Sequence, residues 1–288
     1  MSSQMMEEMP GAIELLKSSH CLVPNITNTV SQNLVANVEL ALGASPVMFN
    51  MPDEAREFIS IAKTAYINLG TVIPIYEKTI PVALQTLKKR EIPWVLDPVA
   101  VGFGELRTNL FKRIFDEKIF PAVIRGNASE IITLADMWHI RTSAKCGKAR
   151  GVDTLHTTQD AEASAIALSR LTGGIVAMTG ETDLVTDGVK IYYLDGGSAI
   201  MEQITGMGCS LGGAIASFLA ITTPLSATLL ATAIYKIAGK ISANEAKGLG
   251  DFTQIFINRI NQIDKDEFFA KKVFTKNKLC ANITLTVK

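Results

Sequence analysis

"PWVLDPVAVGFGELRTNLFKRIFDEKIFPAVIRGN", residues 93–127, sets two short apolar runs on either side of an amphipathic stretch. The runs, "PWVLDPVAVG" and "FPAVIRGN", are continuously apolar rather than alternating, and each ends in a polar or glycine-rich turn. The segment between them, "ELRTNLFKRIF", reads as a helix whose basic end suits the negative pole of the helix dipole. Strand, helix, strand in this order predicts parallel strands buried on both faces. The unit recurs outward, with "AYINLGT" (65–71) before it and "GIVAMTG" (174–180) after it, and "VALQTLKKRE" (82–91) as another intervening helix.

Further upstream, "NTVSQNLVANVELAL" (28–42) carries Val30, Leu34, Val38 and Ala41 at helical spacing, and "GASP" stops it. "DEAREFISIAKTA" (53–65) opens with acids that suit a helix N-terminus. Downstream, "DLVTDGVKIYYLDGG" (183–197) holds two strand-like pieces around Asp187-Gly188, which predicts a hairpin at one edge of the sheet. Helical segments follow at 209–222, 225–247 and 251–263. The tail 264–288 is charged, then weakly alternating in "CANITLTV", and its pattern assigns it to no element. The expectation is one α/β domain over 1–288, mostly parallel, with an antiparallel edge and a helical C-terminal layer.

The totals exclude several classes. The 288 residues suffice to bury about three quarters of the unfolded surface in one unit. With 28 basic and 28 acidic side chains, the chain lacks a global electrostatic footprint for nucleic acid or anionic lipid, so any bound anion must be held locally. Cys21, Cys146, Cys209 and Cys280 are scattered, without CxxC or metal-like spacing to the three histidines, which argues against zinc and against a disulfide framework. The opening "MSSQMMEEMPG" lacks the order of a signal peptide, and runs such as "LGGAIASFLAI" reach about half a membrane span. A cytoplasmic protein with no membrane and no nucleic-acid partner is expected.

In an open parallel sheet, ligands gather beyond the C-terminal ends of the strands. Those ends are loaded: Asn68-Leu69-Gly70-Thr71, Asp97-Pro98-Val99, Arg125-Gly126-Asn127 with Glu130, Thr179-Gly180, and then Gly206 to Cys209. Asp-Pro after a strand is common turn chemistry, and an Arg there commonly caps a strand; five such ends together point to a site. "TGMGCSLGGA" (205–214) reads as a turn opening into a helix, with free N–H groups, the positive end of a dipole and glycines that admit a ligand closely. It lacks the Lys of a P-loop and the spacing of a dinucleotide fingerprint. Asp97 and Glu130 are the best carboxylate pair for magnesium, which takes one or two carboxylates plus water and phosphate oxygens. Arg125 offers a charged fork to phosphates.

Together "NITNTVSQNLVANVELALGASPVM" (25–48), "INLGT" (67–71), "DPVAVG" (97–102), "RGNASEI" (125–131), "RGVDT" (150–154), "MTGETDLVTDG" (178–188) and "TGMGCSLGGA" resemble the hydroxyethylthiazole kinase family of the ribokinase-like superfamily, over about residues 10–263. The resemblance implies phosphorylation of the primary alcohol of 4-methyl-5-(2-hydroxyethyl)thiazole in thiamine salvage, with ATP as co-substrate and Mg2+. It implies thiazole contacts at Met48 and Gly206, with Asn28 and Gly70 lining the same pocket, ATP binding at Arg125 and Thr179, and magnesium organised by Asp97 and Glu130. It places Cys209, beside Gly208, where most ribokinase-like enzymes carry a catalytic Asp, and it implies a homotrimer with shared thiazole sites. Pro24 replaces the family's His before "NITN", and "GLGDF" (248–252) replaces "GPGTF". A helix N-terminus is expected to depress the Cys209 thiol pKa, giving an assisting proton acceptor rather than an obligatory base. The competing readings are a related kinase for another small alcohol, a catalytically silent thiazole-binding protein, and a Rossmann oxidoreductase; intact Asp97, Glu130 and Arg125 count against silence.

Overall fold

The computed structural model describes residues 3–141, 158–271, 273–280 and 286–287; Cys146 and the "RGVDT" motif lie outside them. Along the chain come α1 (Ser3–Ser19), β1 (Leu22–Ile26), α2 (Gln32–Ala41), β2 (Ser45–Met48), α3 (Pro52–Ile61), β3 (Ala65–Asn68), α4 (Tyr76–Arg90) and β4 (Trp94–Asp97). Then follow α5 (Glu105–Asp116), β5 (Val123–Asn127), α6 (Ala128–Met137), β6 (Ile140–Arg141), α7 (Thr158–Thr172), β7 (Ile175–Thr179), β8 (Asp183–Thr186) and β9 (Lys190–Leu194). A 3₁₀ turn (Ala199–Gln203) leads into α8 (Met207–Leu219), α9 (Pro224–Glu245), α10 (Leu249–Gln262), α11 (Lys265–Ala270), β10 (Phe274–Leu279) and β11 (Thr286–Val287).

The described strands form a nine-stranded sheet in the order β10-β9-β8-β7-β5-β4-β3-β1-β2. From β7 to β2 the pairs are parallel, while β8, β9 and β10 add antiparallel strands on the other side. The continuous apolar runs have a simple cause, because successive residues face two separate cores. Val23, Tyr66, Val95 and Val123 pack with α1, α2, α8, α9 and α10 on one face. Ile26, Ile67, Leu96 and Ile124 pack with α3 to α7 on the other.

Four readings are corrected. Val30 lies in the turn before α2 and is 68% exposed, while Leu34, Val38 and Ala41 are buried as their spacing predicts. The Asp187-Gly188 hairpin forms, with Gly188 at φ +79° and the Asp187 carboxylate accepting from the Val189 and Lys190 N–H groups, but it is not the sheet edge. Beyond it lies β10, "FTKNKL", paired antiparallel with β9, so the tail does hold an element. Of "CANITLTV" only β11 and Cys280 are described, and β11 pairs with β6. The tail's strand was invisible in the pattern because the open backbone of β9, rather than intrinsic propensity, selects it. Finally, Gly206–Cys209 is not a strand end; it follows the 3₁₀ turn and opens α8.

Candidate active site

The carboxyl ends of β1, β3, β4, β5 and β7 converge on the first turn of α8. Gly206 is the N-cap of α8 with φ +91°, a conformation glycine adopts without penalty. A Cβ there would also fall 2.8 Å from the Ser31 Cβ. The Ser210 N–H closes the first helical bond to the Gly206 carbonyl at 2.8 Å. Helix geometry therefore leaves the Gly208 and Cys209 N–H groups free for an anion.

Sheet register sets the charged side. Asn68 pairs with Asp97, and the Leu96–Ile124 pairing sets Arg125 beside Asp97, while Asn127 pairs with Thr179 two residues further along the strands. Asp97 is fully buried at the end of β4. Arg125 approaches it at 3.4 Å, and its Nη2 donates to the Thr179 Oγ1 at 2.8 Å. The guanidinium also lies against Gly208, where any Cβ would overlap it. Its Nε is buried without a partner among the described residues. Glu130 is not on the strand but in the first turn of α6, where Asn127 and Glu130 form a capping box: the Glu130 N–H donates to Asn127 Oδ1, and Glu130 Oε2 accepts from the Asn127 N–H, both at 2.8 Å.

Electrostatics follow from burial. Desolvation raises the Asp97 pKa, opposed by Arg125 and by hydrogen bonds from Tyr66 and Asn68. Glu130 is pushed up to about 7, by burial first and then by the Asp97 charge. Burial pulls the Arg125 guanidinium down, but Asp97 and Glu130 outweigh it and hold it charged.

The uncharged side is built from amides and glycine. Asn28 Nδ2 donates to Asn68 Oδ1 at 3.0 Å and to Cys209 Sγ at 3.2 Å, while Asn28 Oδ1 accepts from the Ser31 N–H. Gly70 donates its N–H to Asn68 Oδ1 at 2.9 Å, and a Cβ on Gly70 would crowd Asn28, Asn68 and Val99 at 3.1 Å each. Met48 closes β2 opposite Asn25, half-buried, and contributes an apolar surface. Pro24 is buried within β1 opposite Val47. "GLGDF" opens α10, where Phe252 is buried.

One sequence expectation reverses. The Cys209 thiol is pushed above its ordinary value, not below: burial dominates and the Asp97 carboxylate adds to it, while Arg125, Ser31 and Asn28 oppose. The helix terminus is outweighed because the thiol sits in a dry site next to an anion. At neutral pH the group at 209 is a thiol, a hydrogen-bond participant and a poor base.

Sequence reasoning missed Tyr66, whose hydroxyl lies 3.0 Å from Asp97 Oδ2 and 2.8 Å from the Cys209 carbonyl. Inside "AYINLGT" it reads as a core aromatic, and no local signal marks it. It also missed Lys236, which pairs with Asp183 at 3.1 Å and donates to the Gly180 and Glu181 carbonyls, fixing the turn after Thr179. Two surface cavities lie elsewhere. One, lined by Trp94, Ala122 and Gly174, opens at the opposite ends of the strands, and another lies between α3 and α4 beside Arg56 and Gln85. Neither gathers the acids and anion-facing donors found at the start of α8.

A family model described as the hydroxyethylthiazole kinase family matches residues 13–266. The chain belongs to that family. A hydroxyethylthiazole kinase of Leptospira borgpetersenii serovar Hardjo-bovis is 44% identical over 252 residues, 87% of this chain and 91% of the relative. A solved hydroxyethylthiazole kinase structure from Pyrococcus horikoshii superposes with a TM-score of 0.82 at 28% identity, covering 96% of this chain and all of that one. A ribokinase-like superfamily protein of Enterococcus faecalis shares the fold alone, with a TM-score of 0.60 at 14% identity over 92% of this chain and 96% of that one. This family member is a kinase on a ribokinase-like scaffold.

Proposed function

We propose that the chain, acting as one catalytic domain, transfers the γ-phosphoryl of ATP to the hydroxyl of 4-methyl-5-(2-hydroxyethyl)thiazole. The observation that carries this reading is the convergence of Arg125, Asp97 and Thr179 on the glycine-rich start of α8, in a chain of this family. Phosphoryl transfer is mainly positioning and charge stabilisation. Arg125 and the Gly208 and Cys209 N–H groups bind the phosphates, and Thr179 holds the Arg125 fork in plane. Asn28, Gly70, Gly206 and Met48 orient the thiazole so that its alcohol faces the same turn. Cys209 assists by holding the first turn and the alcohol proton's environment, not by prior deprotonation.

Asp97 and Glu130 fit magnesium. Both are hard oxygen donors, and the charge on one raises the pKa of the other, a repulsion that a cation relieves. Magnesium takes one or two carboxylates and completes its shell with water and phosphate oxygens, so these two side chains would suffice as its protein ligands. Bound there, the ion would neutralise charge on the transferring group.

Val30 before α2, Leu40 on α2 and Met51 after the edge strand β2 are exposed apolar side chains, and they support a homotrimer that shares thiazole sites. No helix among the described residues is long and apolar enough to cross a membrane, and the even balance of 28 basic and 28 acidic side chains gives no global attraction for nucleic acid. The test is ADP release from ATP and Mg2+ with and without the thiazole alcohol. Release only when the alcohol is present is expected; alcohol-independent release, or none, overturns the reading. Sedimentation of an active monomer would contradict the trimer.

A further inference from the structure

The buried polar groups at the strand ends close into a ring. Asn28 Nδ2 reaches both Cys209 Sγ and Asn68 Oδ1. Asn68 Nδ2 donates to the Tyr66 hydroxyl at 2.9 Å and to Asp97 Oδ2 at 3.0 Å. The Tyr66 hydroxyl returns to the Cys209 carbonyl at 2.8 Å. Tyr66 is fully buried in the middle of β3, on the face covered by α8.

Filling space does not explain this residue. Its ring occupies room left by Gly212 inside α8, where a Cβ would fall 2.5 Å from Cε2, 2.6 Å from Cζ and 2.7 Å from the hydroxyl oxygen. Glycine weakens a helix interior relative to alanine. Phenylalanine would fill the same volume without burying a polar atom, and a buried hydroxyl is tolerated only when it is hydrogen-bonded. Here the hydroxyl has three partners, and two of them belong to the proposed phosphoryl-transfer machinery.

We infer that Tyr66 is a positioning residue whose hydroxyl fixes the first turn of α8, at the Cys209 carbonyl, relative to Asp97 and Asn68. The anion-facing N–H groups of Gly208 and Cys209 and the carboxylate of Asp97 come from different elements and must be held within a fraction of an ångström for catalysis. The hydroxyl's single proton serves one acceptor at a time, and the Cys209 carbonyl is the nearer. Gly212 is the partner device, since it lets the ring reach that position. The inference rests on the proposed kinase reading only for its catalytic consequence; the clamp itself is a geometric claim about the chain.

The experiment compares wild type, Tyr66→Phe, Gly212→Ala and the double variant as full-length enzyme. Tyr66→Phe keeps the ring and is expected to fold, checked by its thermal midpoint. Its kcat should fall at least 10-fold while KM for ATP and for the thiazole alcohol stay within about 3-fold, the pattern of an interaction needed for transition-state geometry rather than for binding. Gly212→Ala should reproduce that split, and the double variant should fall little further, because both changes remove the same contact. A folded Tyr66→Phe with kcat within 2-fold of wild type, or with KM rising in step with the loss, overturns the inference. A second readout is independent of turnover: alkylation of Cys209, followed on its own peptide by mass spectrometry. The rate should rise at least 5-fold in Tyr66→Phe as the first turn loosens, and an unchanged rate overturns the clamp. If wild type transfers no phosphoryl group, the functional reading fails while this arm still decides the geometry.

Discussion

The two halves of the site are built on different physical terms. At the ends of β1 and β3, Asn28, Asn68 and Gly70 hold one another by neutral hydrogen bonds whose donors and acceptors do not change with pH. At the ends of β4, β5 and β7 and the start of α6, Asp97, Arg125, Thr179 and Glu130 are linked around buried charge, and burial raises both carboxyl groups, Glu130 to about 7. The difference teaches where each property of the enzyme resides. On the proposed reading, recognition of an uncharged ring belongs to the first half, and rate and pH dependence belong to the second. The helix start at Gly206–Cys209 is shared between them.

The comparison breaks most visibly at Asp97. Asp97→Asn leaves Arg125 buried without its counter-charge and should lower kcat about 10³-fold, with thiazole affinity, measured by equilibrium binding, changed less than about 3-fold. Glu130→Gln should follow in the same direction and show altered Mg2+ dependence. A parallel loss of thiazole binding would mean that the halves are not separable.

At the shared turn the effects should be graded. Gly208→Pro removes an anion-facing N–H and crowds Arg125, and should cost roughly 10²-fold in single-turnover phosphorylation. Cys209→Ala should cost about 10-fold, because a thiol with a raised pKa contributes little as a base. A larger loss for Cys209→Ala than for Gly208→Pro would make the thiol the principal catalytic group. On the uncharged side, Asn28→Ala should raise the thiazole KM about 10-fold, with kcat and ATP KM nearly unchanged. Equal effects on both substrates would erase the distinction drawn here.

The smallest effect is thermodynamic. In the folded protein Glu130 holds its proton up to about pH 7, against an ordinary value of 4.5. Between those limits the folded state binds more protons than the unfolded chain, so stability is greatest below the window and falls as pH rises through it. The melting temperature without divalent metal should therefore drop by a few degrees between pH 5 and about 7.5. Glu130→Gln should flatten that slope, and an unchanged slope would remove Glu130 as its source.

The parallel sheet was legible because strands buried on both faces must be continuously apolar, and "PWVLDPVAVG" and "FPAVIRGN" are. The candidate charges were legible for a related reason: Asp97, Arg125 and Thr179 interrupt apolar runs at the point where the sheet opens. Tyr66 was hidden because an aromatic inside a strand looks like core until its hydroxyl is seen to have polar partners. The Cys209 pKa was misjudged because sequence shows the helix terminus but not the nearby Asp97 or the burial. Val30 kept the helical spacing of its neighbours, yet the chain turns before α2 takes up that register. Of the tail, the pairing of β10 depends on an edge made by β9 about 80 residues earlier, which no local pattern encodes.

That last strand has a consequence for solubility. β10, which begins at Phe274, pairs antiparallel with β9 and so covers the backbone N–H and C=O groups that β9 would otherwise present at the sheet edge. Lys276 and Lys278 rest over the Tyr193 ring, and Lys278 pairs with Glu162. The outermost backbone row is thus flanked by positive charge. A second sheet approaching that row in a crowded cell would meet repulsion and ordered water before it met a hydrogen-bonding partner.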